Sequence, residues 1–170
     1  MPSRIVTLVV NGQTKEFLAP PGTTLLTALR EHLGLLAAKR GCSQGSCGTC
    51  TVLLDGEPVT ACLVPVETIE GASVQTLEGV ADGDRLDEVQ EAFLENFATQ
   101  CGFCTAGMIM SAEALLAENP EPTREDVAEA ISGNVCRCTG YEAIITAILD
   151  AAERRKAGTD ASLVAEAGGA

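Results

Sequence analysis

The sequence predicts an α+β fold in two domains, a β-rich amino-terminal half followed by a helical carboxyl-terminal half. Three observations lead to it. Asn11-Gly12 and Asp55-Gly56 sit between apolar stretches as hairpin turns, apolar residues three and four apart run from Leu86 to Ala152, and eight cysteines divide four and four between the halves.

Ile5, Val6, Leu8 and Val9 form the first expected strand, and Thr14 to Leu18 return as its partner around Asn11-Gly12, a pair that accepts the positive φ angles of a two-residue turn. Pro20-Pro21-Gly22 ends the hairpin. Thr23 or Thr24 can then cap a helix with Leu25, Leu26, Leu29 and Leu33 on one face, stopped at Gly34. A second hairpin pairs Thr51–Leu54 with Pro58–Ala61. Gly41 to Cys50 is too rich in Gly, Ser and Cys for regular structure. Strands with one helix laid across them make an α+β unit compatible with a β-grasp.

The texture changes at the acidic, Gly-containing stretch 78–83, read as a linker between a domain at 1–77 and one at 84–156. Leu86, Val89, Phe93 and Phe97, then Met108, Ala112 and Leu115, repeat at helical spacing. Thr123 with Asp126 three residues on reads as an N-cap before Val127 and Ile131, and Ile144, Ile145, Ile148, Leu149 and Ala152 line a last helix. Four short helices make a small bundle. Residues 157–170 are rich in Ala and Gly without periodicity, and are expected to be a mobile tail.

Aromatics make up 3% of the 170 residues and Trp is absent, so the cores are aliphatic and modest. Two small domains suit that better than one large one. The net charge of −13 repels phosphate backbones and anionic lipid surfaces, which excludes nucleic acid and membrane insertion as expectations. Met1 to Val10 lacks the features of a signal peptide, and no apolar run is long enough to span a bilayer. The expected location is cytoplasmic, where thiols stay reduced and eight cysteines point to metal binding or redox chemistry.

Cys42, Cys47, Cys50 and Cys62 have four, two and eleven residues between them. The first three reproduce the plant-type ferredoxin spacing, with the fourth from a later segment. A 2Fe-2S core needs four thiolates converging on two irons, and Gly41, Gly45 and Gly48 let the loop curl around it. Loop N–H groups aimed at the sulfurs would tune its potential. Cys101, Cys104, Cys136 and Cys138 form a second quartet, with two residues inside one pair and one inside the other. A Cys-Arg-Cys gap is short for a zinc knuckle. Both pairs are expected at helix starts, before Thr105–Ala117 and Tyr141–Ala152, where N–H groups and the dipole favour thiolates. Thioredoxin-type dithiols at Cys47/Cys50 and Cys101/Cys104, structural zinc, and free core cysteines are the competing uses.

Gly41-Cys42-Ser-Gln-Gly45-Ser-Cys47-Gly48-Thr-Cys50, Ala61-Cys62, Gln100-Cys101-Gly-Phe-Cys104 and Gly133-Asn-Val-Cys136-Arg137-Cys138-Thr-Gly140-Tyr141 together resemble the iron-sulfur subunits of the xanthine oxidase family of molybdenum hydroxylases. The likeness runs from about residue 4 to 155. It is similar to the free-standing small subunits of carbon monoxide dehydrogenase, 4-hydroxybenzoyl-CoA reductase and dehydrogenases of N-heterocycles or aldehydes. The resemblance implies a β-grasp, ferredoxin-like 2Fe-2S domain followed by a four-helix 2Fe-2S domain. It also implies a heterotrimer with a large molybdopterin-binding subunit and a medium FAD-binding subunit. Cys101, Cys104, Cys136 and Cys138 would then hold the cluster proximal to molybdenum, and Cys42, Cys47, Cys50 and Cys62 the distal one. Gln100 and the Sγ of Cys138 would lie against the pterin, although a polar residue bonding to backbone at a helix start also accounts for Gln100.

Arg137, between two of these ligands, could ease reduction of the cluster or reach a phosphate, or simply be solvated. His32, the single histidine, is expected to be exposed, which argues against a Rieske centre. No Ser-His-Asp set, phosphate loop or Rossmann fingerprint is present. The chain is therefore expected to relay single electrons within a molybdenum oxidoreductase and to carry no substrate chemistry. A stand-alone ferredoxin-like carrier and a zinc-stabilised scaffold are the alternatives. Exposed Leu and Met on the helices would suit docking onto partner subunits.

Overall fold

The structure is a computed structural model that describes the backbone of residues 2–167 and the side chains of residues 2–158. Strands β1 (Arg4–Val10) and β2 (Gln13–Ala19) pair in unbroken antiparallel register, Arg4 opposite Ala19 and Val10 opposite Gln13. Asn11 and Gly12 take φ of 50° and 74°, the mirror-image turn whose twist matches the strands it joins. Strands β3 (Thr51–Leu54) and β4 (Glu57–Thr60) repeat the device around Asp55-Gly56. Strand β5 (Ser73–Gln75) enters between the hairpins, parallel to β1 and antiparallel to β3. The order is β2-β1-β5-β3-β4.

Alternation along β1 turns Val6, Leu8 and Val10 inward, where they meet Leu25, Leu26 and Leu29 from the segment crossing the sheet. Each of these leucines, fully buried, contributes about 1.5–3 kcal/mol. Thr24 caps helix α1 (Leu25–Thr27) by accepting from the Thr27 N–H. The chain then widens into one π-helical turn, Ala28–His32, before Gly34 at φ 72°. The wider ring rotates Leu33 off the leucine row, and Leu33 is only half-buried.

The stretch read as a linker is tied down at its start. Residues Leu77–Gly79 form a 3-10 turn, and the Glu78 carboxylate accepts from the Ala37 N–H and the Thr76 hydroxyl. Thr76 in turn exchanges two hydrogen bonds with the side chain of Asn11.

Helices α2 (Glu88–Glu95), α3 (Thr105–Glu118), α4 (Arg124–Ala130) and α5 (Glu142–Ala167) form the second half. Asp87 with Gln90, and Thr123 with Asp126, make complete capping boxes for α2 and α4. Val89, Phe93, Met108, Ile109, Leu116, Val127, Ile131, Ile144 and Ile148 fill the core, with alanines at 92, 112, 147 and 151 letting the helices approach. Helix α3 lies along β3 and β4 as well as against the other helices. It is therefore buried nearly all round and presents no polar stripe.

Two expectations need correction. Phe97 does not continue the α2 stripe: Asn96 folds its Nδ2 onto the Ala92 carbonyl and ends the helix, leaving Phe97 at φ 53° and 84% exposed. Met108 and Met110 are fully buried rather than available for docking, because α3 is sandwiched between the halves. The helical backbone of α5 also runs to Ala167, into the stretch 157–170 expected to be a mobile tail. Residues 168–170 of that expected tail lie outside the described ones. No helix among the described residues is long and apolar enough to cross a membrane.

Candidate metal centres

The fold gathers the cysteines into the two expected quartets, and each quartet divides again into pairs. In the first, Cys50 enters β3 and Cys62 lies in the 3-10 turn Ala61–Leu63 just after β4. Both are buried in the sheet-side core and touch each other. Cys42 and Cys47, on the loop before β3, form the second pair nearer the surface. In the other quartet Cys104 and Cys136 are buried together against the helical core. Cys101 and Cys138 are exposed, with their Sγ atoms 3.5 Å apart.

Two inner and two outer thiols suit a two-iron core, where each iron takes two protein sulfurs. A single tetrahedral ion needs four thiolates around one point. Four thiols arranged as two adjacent pairs at each site fit the donor set of a 2Fe-2S cluster.

Local hydrogen bonds favour the thiolate form at Cys42 and Cys101. The Gln44 N–H, with the Ser46 hydroxyl and Cys47, brings the Cys42 thiol down to about 6. The Phe103 N–H and Cys138 lower Cys101, while Cys138, as donor to Cys101, is raised. Burial pushes Cys50 up to about 11 and Cys104 up to about 12. At Cys136 burial works the same way, but bonds from Thr139 and neighbouring amides outweigh it and the thiol is lowered. Thiols raised by burial, as at Cys50 and Cys104, are inert unless a metal takes the place of the proton.

The loop glycines serve two different ends. Gly45 and Gly48 take φ of 77° and 68°, so they supply the curl. Gly41 has no positive φ; it is small because a Cβ there would stand 2.8 Å from the Cys47 Sγ. The amides of Gln44 and Ser46 reach the Cys42 sulfur.

Helix starts account for one cysteine pair less directly than expected. Cys104 is the N-cap of α3, yet Cys136 and Cys138 precede α5 by several residues on a turn ending in Tyr141 at φ 70°. The Tyr141 hydroxyl holds that turn, accepting from the Cys136 N–H at 2.8 Å and donating to the Asn134 carbonyl. Gln100 is exposed beside Cys101, without a hydrogen bond among the described residues. The backbone-bonding account of Gln100 therefore has no support. Arg137 is exposed and forms no ion pair among the described residues. His32 is exposed and stacks on Phe17, 5.5 Å between ring centres.

The two cysteine loops meet directly, which the sequence did not signal. The Val135 N–H donates to the Cys47 carbonyl at 2.9 Å, linking the residue before Cys136 to a member of the first quartet. Asn134, almost fully buried, donates through Nδ2 to the Gly48 carbonyl and the Thr51 hydroxyl and accepts from Ser111.

Two family models match in tandem. A 2Fe-2S iron-sulfur cluster binding domain covers residues 8–78, and a 2Fe-2S binding domain covers 76–149. The small FeS subunit of nicotinate dehydrogenase from Eubacterium barkeri is 46% identical over 149 residues, spanning 88% of this chain and 95% of that one. The small subunit of nicotine 6-hydroxylase from Paenarthrobacter nicotinovorans is 49% identical over 142 residues, 84% and 86% of the two chains. A chain in the crystal structure of quinoline 2-oxidoreductase from Pseudomonas putida 86 superposes with a TM-score of 0.89 at 46% identity, covering 93% of this chain and 99% of that one.

Proposed function

The chain belongs to the small iron-sulfur subunits of the xanthine oxidase family of molybdenum hydroxylases, and from that premise we propose which of its residues serve electron transfer and toward which partners. It is the electron-transfer subunit of such an oxidoreductase and performs no substrate chemistry itself. Cys42, Cys47, Cys50 and Cys62 hold one 2Fe-2S cluster, and Cys101, Cys104, Cys136 and Cys138 the other. The observation that carries this assignment is the division of each quartet into a buried and an outward pair. When bound, the clusters supply one-electron chemistry between a molybdopterin site and a flavin.

The outward pair Cys101/Cys138, together with the exposed and unbonded Gln100, supports a molybdopterin-binding large subunit at this face. Cys42 and its loop are the other outward surface, suited to a FAD-binding medium subunit. The division at 1–77 and 84–156 belongs to the same proposal, and the family-model boundaries at 78 and 76 support it. The use of all eight cysteines as cluster ligands rather than in disulfides supports a cytoplasmic location.

Assembled complexes carrying Cys47→Ser or Cys104→Ser test the assignment, once each is shown to keep its partner subunits and the other cluster. Each substitution is expected to erase a different one of two paramagnetic signals in the reduced protein. With Cys104→Ser, substrate should leave the remaining cluster oxidised although dithionite reduces it. With Cys47→Ser, substrate should still reduce the remaining cluster while delivery to the acceptor stops. Loss of the same signal in both variants refutes the ligand sets; substrate reduction of the remaining cluster in Cys104→Ser at the wild-type rate refutes the orientation.

A further inference from the structure

We propose that Asn134 is a positioning residue that sets how closely the two cysteine loops approach, and with that the electronic coupling between the groups they hold. The inference rests on the assignment of both quartets as cluster ligands. Its substance is the packing between the quartets, carried by backbone groups and by the side chain of Asn134.

Two loop segments, each adjoining a ligand, face one another. One is Cys47-Gly48-Thr49-Cys50, the other Gly133-Asn134-Val135-Cys136. Asn134, 4% exposed, occupies the gap. Its Nδ2 donates to the Gly48 carbonyl at 3.0 Å and to the Thr51 hydroxyl at 3.3 Å. Ser111 on α3 donates to its Oδ1 at 2.9 Å, which fixes which end of the amide faces the first loop. Its own carbonyl accepts from Tyr141 and its N–H donates to Ile131. Every polar group of the residue is thus engaged, and the ties reach both halves of the molecule. Buried side-chain networks satisfied to this degree are rigid.

The space around it admits no other arrangement. A Cβ on Gly48 would lie 2.4 Å from the Gly133 carbonyl oxygen and 2.8 Å from the Asn134 Cα. A Cβ on Gly107, in the first turn of α3, would lie 2.3 Å from the Gly48 carbonyl oxygen. These neighbours are backbone atoms and cannot swing aside, so the two glycines set the closest approach. Asn134 holds the loops at that limit, and the Val135 N–H then meets the Cys47 carbonyl. An acceptor in place of Nδ2 would oppose the Gly48 carbonyl; an aliphatic side chain would leave Ser111 without its acceptor.

The test uses the assembled complex with Asn134→Ala, which removes the tie, and separately with Gly107→Ala, whose added Cβ would stand 2.3 Å from the Gly48 carbonyl oxygen and 3.0 Å from Asn134 Nδ2 and so wedges the same contact apart. Iron and sulfide content are measured first, because a wild-type chain lacking two 2Fe-2S clusters would overturn the ligand assignment and not this inference alone. In a variant that retains both clusters, the magnetic interaction between the two reduced centres should weaken while each keeps its own g values, and transfer between them should slow severalfold. Ser111→Ala should give the same change to a lesser degree. A simple loss of stability would leave the interaction unchanged in the folded, loaded fraction. The proposal is overturned if either fully loaded variant keeps the wild-type interaction and transfer rate. If Asn134→Ala fails to load, Gly107→Ala and Ser111→Ala decide by the same criteria.

Discussion

Glu113 offers a perturbation whose sign and size follow from one buried charge cluster. Its carboxylate and that of Asp87 share the guanidinium of Arg155, at 2.8 Å from each, and both carboxylates are mostly buried. Arg155 is shared between two mostly buried carboxylates, with Glu88 3.6 Å away as well, so its charge does not offset the burial of each in full. Burial, with the hydrogen bond to Asp87 next, therefore raises Glu113 from 4.5 to about 7, against the pull of Arg155. In the folded chain Glu113 holds a proton that the unfolded chain releases above 4.5. Its contribution to stability is whole below that value and is lost as pH rises to about 7. The difference between the protonation states corresponds to at most about 3 kcal/mol. Glu113→Gln mimics the protonated acid, since its amide can donate to Asp87 while its oxygen faces Arg155. The variant should match the wild type near pH 5 and exceed it at pH 8, raising the midpoint of thermal unfolding there by up to about 6–12 °C for a chain of this size. Comparing wild type and variant, both cluster-loaded and anaerobic, cancels the pH dependence of the ligands themselves. A stability difference equal at pH 5 and pH 8 would refute the shared proton.

Two further substitutions probe the chain away from its ligands. Tyr141→Phe removes the acceptor of the Cys136 N–H and the donor to Asn134; it should cost about 1–3 kcal/mol in denaturant unfolding, and should alter the paramagnetic signal of the helical-domain cluster while sparing the other. Phe97→Asn replaces a residue at φ 53° that is 84% exposed, so thermal unfolding should show stability unchanged or higher by about 1 kcal/mol; a marked loss would mean that Phe97 packs as a core residue.

Turns and caps were the most legible features because their signals are local. Asn11-Gly12 and Asp55-Gly56 define their hairpins through backbone angles available to few residues, and Thr123 with Asp126 closes α4 at the expected place. Strand β5 was harder to read: three residues offer too little alternation, and its pairing with β1 is settled only by the fold. The end of α2 was misjudged for a related reason. Phe97 has the right spacing and hydrophobicity for a stripe, but the side-chain bond from Asn96 to Ala92 competes with helix extension. Spacing reports which residues could share a face, not where the helix stops. The backbone beyond 156 shows the converse, since α5 runs on where no apolar period demands it.

The candidate site divides along the same line. The cysteine spacing makes both quartets stand out in the chain, and the fold brings cysteines of each quartet close to one another. What joins the quartets leaves no such trace. Asn134, Gly107 and Ser111 are ordinary residues in sequence, and their roles depend on α3 lying along β3 so that Gly107 can abut Gly48. Gly48 alone carried a hint, being read as a glycine of the loop's curl; its positive φ fulfils that reading. Yet the same glycine also lacks room for a Cβ against Gly133 and Asn134, a second constraint imposed from the other domain. A residue under two independent constraints tolerates less change than either predicts. The contact between the halves is for that reason part of the site, and the two domains have to be considered as one electron-transfer unit rather than as two modules on a tether.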